Sequence, residues 1–499
     1  MRWLTLTMFI IFTFSSLGAQ EYSISPASPF FNKIVESPNH NSSKTSNPIR
    51  VSALTFNKVF VCAPTNSYLW IVTDRYGVVS DIDGNGLNDI PFTAADYNGW
   101  GWPGYAYVAF QTSPGNFQCV AVSNSHDTPY GISVGDFNGD GKKDLVFSAA
   151  RSNAAFTLRN NGGWSFTEQM IGLGGGFPNH IAVRDVDAGP GAEILYTDEY
   201  HYLYKYNFLS NSLTTLNTEC KEGLSVADIN NDGNQDIVCG TSNFVYGPGS
   251  VKFQLNLGNS WSSTYTIASG HYWHGVTTGD FNKDGKIDVA SCSADDQSVH
   301  IFYNNGGNPP TFTEAAVVYT GAYLDACELT VADLDCDGDY DIVWSAYNWS
   351  GSGPTIGYLE NGYPNNTWTN YIIENNTYNA YGVAVSYMNN DKKPDIIAGL
   401  NNGLYIYYNT SNVDTTKCAS INVSENDYNK TDILVKENKI SISFKDNVNG
   451  YISIYDVRGN LLLSNKINGK SLDFKLNRKG VYIIDIRTDK VKTTRKIIL

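Results

Sequence analysis

The chain is a succession of short apolar runs cut by turns rich in Gly, Asp and Asn. GVTTG, VASCS, SVHIFYNN and FTEAAVVY follow one another between Gly275 and Tyr319, and the same order returns along most of the sequence. Runs this short, bounded by turn residues and rich in β-branched and aromatic side chains, predict strands. An acidic segment, Asp280–Asp288 (DFNKDGKID), lies between the first two runs of this group. The repeating unit is therefore strand, acidic loop, strand, then a third strand such as AAFTLRNN or LYIYYN and a weaker fourth such as FQCVAVS.

The acidic loop is written seven times, with first positions at 81, 136, 185, 228, 280, 333 and 387. Steps of 43 to 55 residues match one four-stranded propeller blade. The predicted fold class is all-β: a seven-bladed β-propeller over residues 51–410, followed by a small C-terminal Ig-like β-sandwich. Little after LYIYYN reads as a strand, so residues 51–62, VSALTFNKVFVC, are expected to complete the seventh blade and fasten it to the first.

Each full loop carries acid or amide side chains at positions 1, 3, 5 and 9 and glycine at position 6. Alternate residues of a tight turn aim oxygen atoms inward, and several oxygens suit a hard cation, so the loops predict structural Ca2+ at about five sites. The expected ligands are Asp81, Asp83, Asn85 and Asp89; Asp136, Asn138, Asp140 and Asp144; Asp228, Asn230, Asp232 and Asp236; Asp280, Asn282, Asp284 and Asp288; and Asp333, Asp335, Asp337 and Asp341. The third loop keeps Asp185, Asp187 and Glu193 but has Gly189 at position 5 and Pro190 at position 6. In the seventh loop Tyr387 replaces the first ligand and Lys392 the glycine, leaving Asn389, Asp391 and Asp395. That loop is expected to be empty.

Charge divides the chain. Residues 1–429 hold 19 basic and 42 acidic side chains, half of the acids lying in the loops, whereas residues 430–499 hold 15 basic and 7 acidic. So acidic a repeat region argues against a nucleic-acid partner. Residues 1–19 read as a secretory signal peptide, with Arg2, an apolar stretch from Leu4 to Phe14 and small residues up to Ala19, so no transmembrane segment is expected in the mature chain. Residues 20–50 form a polar linker, 411–430 a second linker and 431–499 a separate unit. The eight cysteines form no CxxC pair, which leaves zinc-ribbon and thioredoxin chemistry without support. Cys62 and Cys418 flank the repeats and are the expected disulfide.

Aromatic–glycine pairs (Tyr76-Gly77, Tyr130-Gly131, Tyr381-Gly382, with His274-Gly275 as a variant), the DxDxDGxxD loop and the apolar strand after it together resemble the FG-GAP or VCBS repeat. This family includes integrin alpha-subunit propellers, propeller lectins and some polysaccharide lyases. In the tail, YDVRGNLL, Gly480-Val481-Tyr482 and the closing Lys496–Leu499 resemble the C-terminal sorting domain of the type IX secretion system of Bacteroidetes. The resemblance implies handling by that machinery and a protein that is secreted or held at the outer cell surface.

The face opposite the loops is expected to be rich in aromatic side chains. Trp100, Trp102 and Trp273 are its candidate stacking platforms, with His126, Asp127 and His271 as polar partners for an extracellular polysaccharide or glycoconjugate. The same rings could instead pack between blades. Three functions stay open: a glycan-binding or adhesion protein, a polysaccharide lyase acting on uronic-acid polymers, and a protein-binding propeller. Arg75, His126, Tyr130, His180 and His274 are the candidates for the lyase. His180 stands where other copies have glycine.

Overall fold

The computed structural model describes residues 50–51, 54–64, 68–70, 79–173, 176–187, 191–199, 202–217, 219–241, 248–258, 260–322, 325–347, 353–375, 379–418, 431–436, 439–456, 461–475, 481–488 and 492–498. The expected signal peptide, residues 1–19, and Arg75 lie outside these residues. The described residues contain no helix long and apolar enough to cross a membrane.

Antiparallel meanders of four strands repeat around a ring. Blade 2 runs Pro129–Gly135, Asp144–Ala149, Ala154–Gly162 and Ser165–Leu173, and blade 5 runs Trp273–Gly279, Asp288–Ser293, Ser298–Gly307 and Pro310–Tyr319. The first strand of each blade is innermost and lies beside the first strand of the next blade. Seven blades close the circle, the inner strand of blade 7, Ala380–Ser386, pairing in parallel with Tyr68–Trp70 of blade 1.

Packing explains why the strands differ in sequence. Second strands such as Ile90–Ala95 and Asp395–Leu400 are buried at every position, because a neighbouring sheet covers each face, and they read as continuous apolar runs. Fourth strands such as Asn116–Ala121 form the rim and are partly exposed, which weakens their pattern. Core clusters fill the gaps between blades. Phe137, Val146, Ile181 and Tyr196 join blades 2 and 3, and Val251, Phe253, Trp273 and Phe302 join blades 4 and 5.

The ring closes as its sequence suggests. Phe56–Cys62 pairs antiparallel with Gly403–Asn409 as the outer strand of blade 7, with Phe56 opposite Asn409. The disulfide expectation needs correcting. Cys62 bonds Cys119 on the outer strand of blade 1, Cys336 of the sixth loop bonds Cys418, and Cys220 bonds Cys239. Cys62 does clasp the ring, but its partner is the rim strand facing it across the seam between blades 7 and 1.

In the tail, the expected sandwich is represented by one five-stranded sheet in which the long strand Lys439–Asp456 pairs with three others. Alternate residues Ile440 and Ile442, then Ile452 and Ile454, are buried along this strand, and Ile484 and Ile486 are buried on Val481–Thr488.

Candidate functional site

Each acidic loop turns tightly around its first carboxylate. In blade 1, Gly84 N and Asn85 N donate to Asp81 Oδ1 at 2.8 and 3.0 Å, and Gly86 N donates to Oδ2 at 2.9 Å. Gly86 has φ +87°, a conformation that glycine adopts freely, which is why position 6 is glycine. The loops at Asp136, Asp228, Asp280 and Asp333 repeat the bond from position 6 to the first carboxylate. Donor oxygens from Asp81, Asp83 and Asp89 lie within 4.8 Å of one another, as do those of Asp333, Asp335 and Asp341. This set of hard oxygen donors fits a calcium-sized cation.

The ninth residue has a second task that its spacing does not reveal. Asp288 Oδ2 accepts Phe281 N at 2.9 Å and Oδ1 accepts Asn304 N at 2.8 Å, tying the loop to the third strand of its own blade. Asn304 then reaches back, Nδ2 donating to Ile229 O in the loop of blade 4 at 2.8 Å. Asn160, Asn256, Asn361 and Asn409 do the same to Ile82, Val186, Phe281 and Leu334 of the preceding blades, and Gln111 reaches Met388. A belt of side-chain amides therefore links blades on the loop face. Burial, aided by the other carboxylates of the same loop, pushes Asp144, Asp236 and Asp288 up to about 7.

The third and seventh loops differ physically. Lys205 Nζ lies 2.8 Å from Asp187 Oδ2 and supplies a positive charge from the protein itself. Asp395 in the seventh loop keeps both backbone bonds, to Met388 N and Asn409 N at 2.9 Å each, although Tyr387 has replaced the first ligand. Its carboxylate has a structural reason to be there without any metal.

A second cluster occupies the axis. His180 on the inner strand of blade 3 bonds through Nε2 to Glu328 Oε1 on the inner strand of blade 6 at 2.8 Å. These blades are not neighbours in a ring of seven, so the bond spans the central channel. Asn179 Nδ2 donates to Glu222 Oε1 of blade 4 at 3.0 Å, and Glu222 Oε2 stands 4.0 Å from His180 Nδ1. His274 of blade 5 is also buried. Burial first, and the nearby His180 second, lower its pKa to about 4. Elsewhere on the inner strands glycine is required by close approach, since a Cβ on Gly131 would meet Asn179 O at 2.3 Å and one on Gly223 would meet His274 O at 2.4 Å.

The expected aromatic face is only partly a surface. Trp100 is 80% exposed, on a turn where Asn98 Oδ1 accepts Trp100 N and Gly101 N at 3.0 and 2.9 Å. Trp102 is half-buried, its ring 4.8 Å from that of Tyr97. Trp273 is 1% exposed and cannot be a stacking platform: its ring packs against His300 and Phe302 in the gap between blades 4 and 5. Asp127 Oδ1 accepts Trp102 N at 2.8 Å and so shapes the Trp100 turn. His126 is paired with Glu168 at 3.0 Å, its ring lying on Phe156. Tyr130 packs in an aromatic group with Trp102, Tyr347 and Tyr381. Among the described lyase candidates, His180 and His274 are both buried on inner strands and close enough for His180 to lower the His274 pKa.

His271 belongs to a third cluster, which the spacing of its members conceals. Its Nδ1 lies 2.9 Å from Asp295 Oδ2, while His300 contacts Asp296 through Nε2 at 2.9 Å and Glu314 through Nδ1 at 2.7 Å. Burial lowers the His300 pKa, but the bonds to Asp296 and Glu314 outweigh it and raise the ring to about 9.

Comparison with known families agrees with this architecture. A profile of the FG-GAP-like repeat matches residues 136–188 and 228–291, spans that begin on the second and fourth loops, and a profile of the secretion system C-terminal sorting domain matches residues 436–499. The chain carries FG-GAP-like repeats in its seven-bladed propeller and ends in a secretion-system sorting domain of the type IX kind. The tail directs the propeller to the cell surface or the extracellular space. Cartilage acidic protein 1 of Xenopus tropicalis is 27% identical over 43% of this chain and 39% of its own, so the FG-GAP chain spans about two fifths of that relative. Among solved structures, PorZ, a bacterial surface component of the type IX secretion system of Porphyromonas gingivalis, is 13% identical with a TM-score of 0.44, covering 88% of this chain and 60% of its own. BBS1N in complex with ARL6DN is 12% identical with a TM-score of 0.47, covering 73% of this chain and 100% of its own.

Proposed function

We propose that the FG-GAP propeller is a calcium-stabilised extracellular binding module that takes a glycan on the face opposite its acidic loops, with Trp100 at the centre of the site. Trp100 carries this reading. Leaving an indole in water forgoes about 2 kcal/mol of burial, and the bonds from Asn98 and Asp127 hold the turn in place, so the exposed ring is presented on a fixed platform. A saccharide stacks its C–H face on such a ring, while neighbouring polar groups meet its hydroxyls. Tyr105, on the third strand of the same blade, is 36% exposed and is a second ring that blade 1 offers to solvent.

Calcium acts structurally in this proposal. The ligands would be the Asp and Asn side chains of the loops themselves, and the cation would offset the mutual repulsion of the clustered carboxylates. A lyase is less well supported, because a base and a carboxylate-neutralising group must converge where substrate can reach them, whereas His180 and His274 are buried and His126 is paired with Glu168.

A glycan array followed by affinity electrophoresis tests the proposal. Retention by a polysaccharide should be lost in Trp100→Ala while calcium-dependent melting stays unchanged. Retention that survives the substitution rejects the site. Absence of any glycan ligand would favour the protein-binding reading, and unsaturated product seen by ultraviolet absorbance would favour the lyase.

A further inference from the structure

The cluster at the seam of blades 4 and 5 has the composition of a different kind of metal centre. His271 ends the outer strand of blade 4, Trp261–His271, and His300 lies on the third strand of blade 5, Ser298–Gly307. Asp295 and Asp296 form the turn before that strand, and Glu314 lies on the outer strand of the same blade. This turn joins the second and third strands, so the cluster sits on the face opposite the acidic loops. One donor atom each from His271, Asp296 and His300 lies within 4.8 Å of the others, and the two imidazole rings are 5.2 Å apart.

We propose that His271, Asp296 and His300 bind a borderline divalent transition metal of the zinc class, oriented by Asp295 and Glu314. Two imidazoles and one carboxylate form a donor set suited to Zn2+ and its neighbours, whereas calcium and magnesium prefer oxygen alone. Each histidine also has its own orienting carboxylate. Asp295 holds Nδ1 of His271 at 2.9 Å and Glu314 holds Nδ1 of His300 at 2.7 Å. A carboxylate on one ring nitrogen fixes the tautomer and makes the other nitrogen the better donor, the usual arrangement behind metal-bound histidine. Asp296 stands 2.9 Å from His300 Nε2, the nitrogen that Glu314 leaves for a metal.

The surroundings agree with this chemistry. His300 is 4% exposed and Trp273 1%, and the Trp273 ring lies 4.9 Å from His300 and 5.2 Å from His271, giving the site a rigid apolar floor. The His271 and Asp296 side chains are about one third exposed, so the fourth position opens to solvent. Three protein ligands with one open position describe a site that can hold water or an external donor. Hard-cation loops on one face and a borderline-metal site on the other would respond to different ions.

The test uses the whole secreted protein with zinc chloride as the probe, in millimolar calcium so that the acidic loops do not compete for zinc. Calorimetry should show about one equivalent of zinc bound. His271→Gln, at a partly exposed position, should weaken binding at least tenfold, and Glu314→Gln about tenfold through loss of orientation. Cobalt(II) in place of zinc should give visible absorption in the wild type that His271→Gln removes. Calcium-dependent melting identifies any variant that fails to fold, and Asp296→Asn then provides the second readout. No zinc binding in calcium excess overturns the proposal, and so does zinc binding that both His271→Gln and Asp296→Asn leave unchanged.

Discussion

His180 and Glu328 bond at 2.8 Å across the central channel, though 148 residues separate them in sequence. Both stand at the repeat position occupied by Gly131, Gly223, Gly275 and Gly382 in other blades, so two departures from the repeat meet each other. Both are nearly fully buried, and removing either breaks the bond across the channel. His180→Ala or Glu328→Ala should each cost about 3 kcal/mol in urea unfolding, and the double variant should cost clearly less than the sum. Additive losses would show that the pair is not coupled.

His274 predicts a pH dependence. Its folded pKa of about 4 lies below the ordinary 6.5, so the unfolded chain takes up a proton first as pH falls. The stability from the neutral buried ring is fully present above pH 6.5 and is lost as pH falls toward 4, by about 3 kcal/mol in total. With calcium in excess, the stability gap between wild type and His274→Asn should therefore shift against the wild type over that window. A pH-independent gap would contradict the neutral ring.

Asp395 separates scaffold from ligand. Removing its carboxylate strands the buried amides of Met388 and Asn409, so Asp395→Ala should cost about 3 kcal/mol with or without calcium. Asp391→Ala, at an exposed position of the same loop, should stay within about 0.5 kcal/mol. Equal effects in thermal unfolding would remove the distinction.

Calcium should raise the melting temperature in the range of about 10⁻⁴ to 10⁻³ M, each site adding about 2.7 kcal/mol at a hundredfold excess over its Kd. Asp337→Ala, in the loop with four carboxylates, should reduce that rise, whereas Asp391→Ala should leave it intact. Melting that does not change in excess EDTA would count against structural calcium.

How much of this was legible follows from how local each signal is. The loops at Asp81, Asp136, Asp228, Asp280 and Asp333 could be read directly because turn chemistry is written in adjacent residues, and the closing strand Phe56–Cys62 could be read by counting, because the last blade has no fourth strand of its own after Gly403–Asn409. Trp273 could not. Its neighbours His271 and His274 are polar, yet it packs with Phe302 of its own blade and Phe253 of the adjoining one. The Cys62–Cys119 bond depends on which rim strands face each other across the seam. The amide belt left a trace, since RNN, YNN and YYN end the third strands, but its partners are carbonyls of another blade.

The closing strand also sets an order in time. Phe56–Cys62 leaves the ribosome before the other strands of the blades, and Gly403–Asn409, the strand it must pair with, leaves after all the other propeller strands. No intermediate length of chain can complete the circle, so the propeller stays an open, incomplete ring until its last blade has been delivered. Cys62 and Cys119 are both available from the start, but the seam that aligns them forms only when the two ends of the ring meet. The bond therefore seals a finished ring.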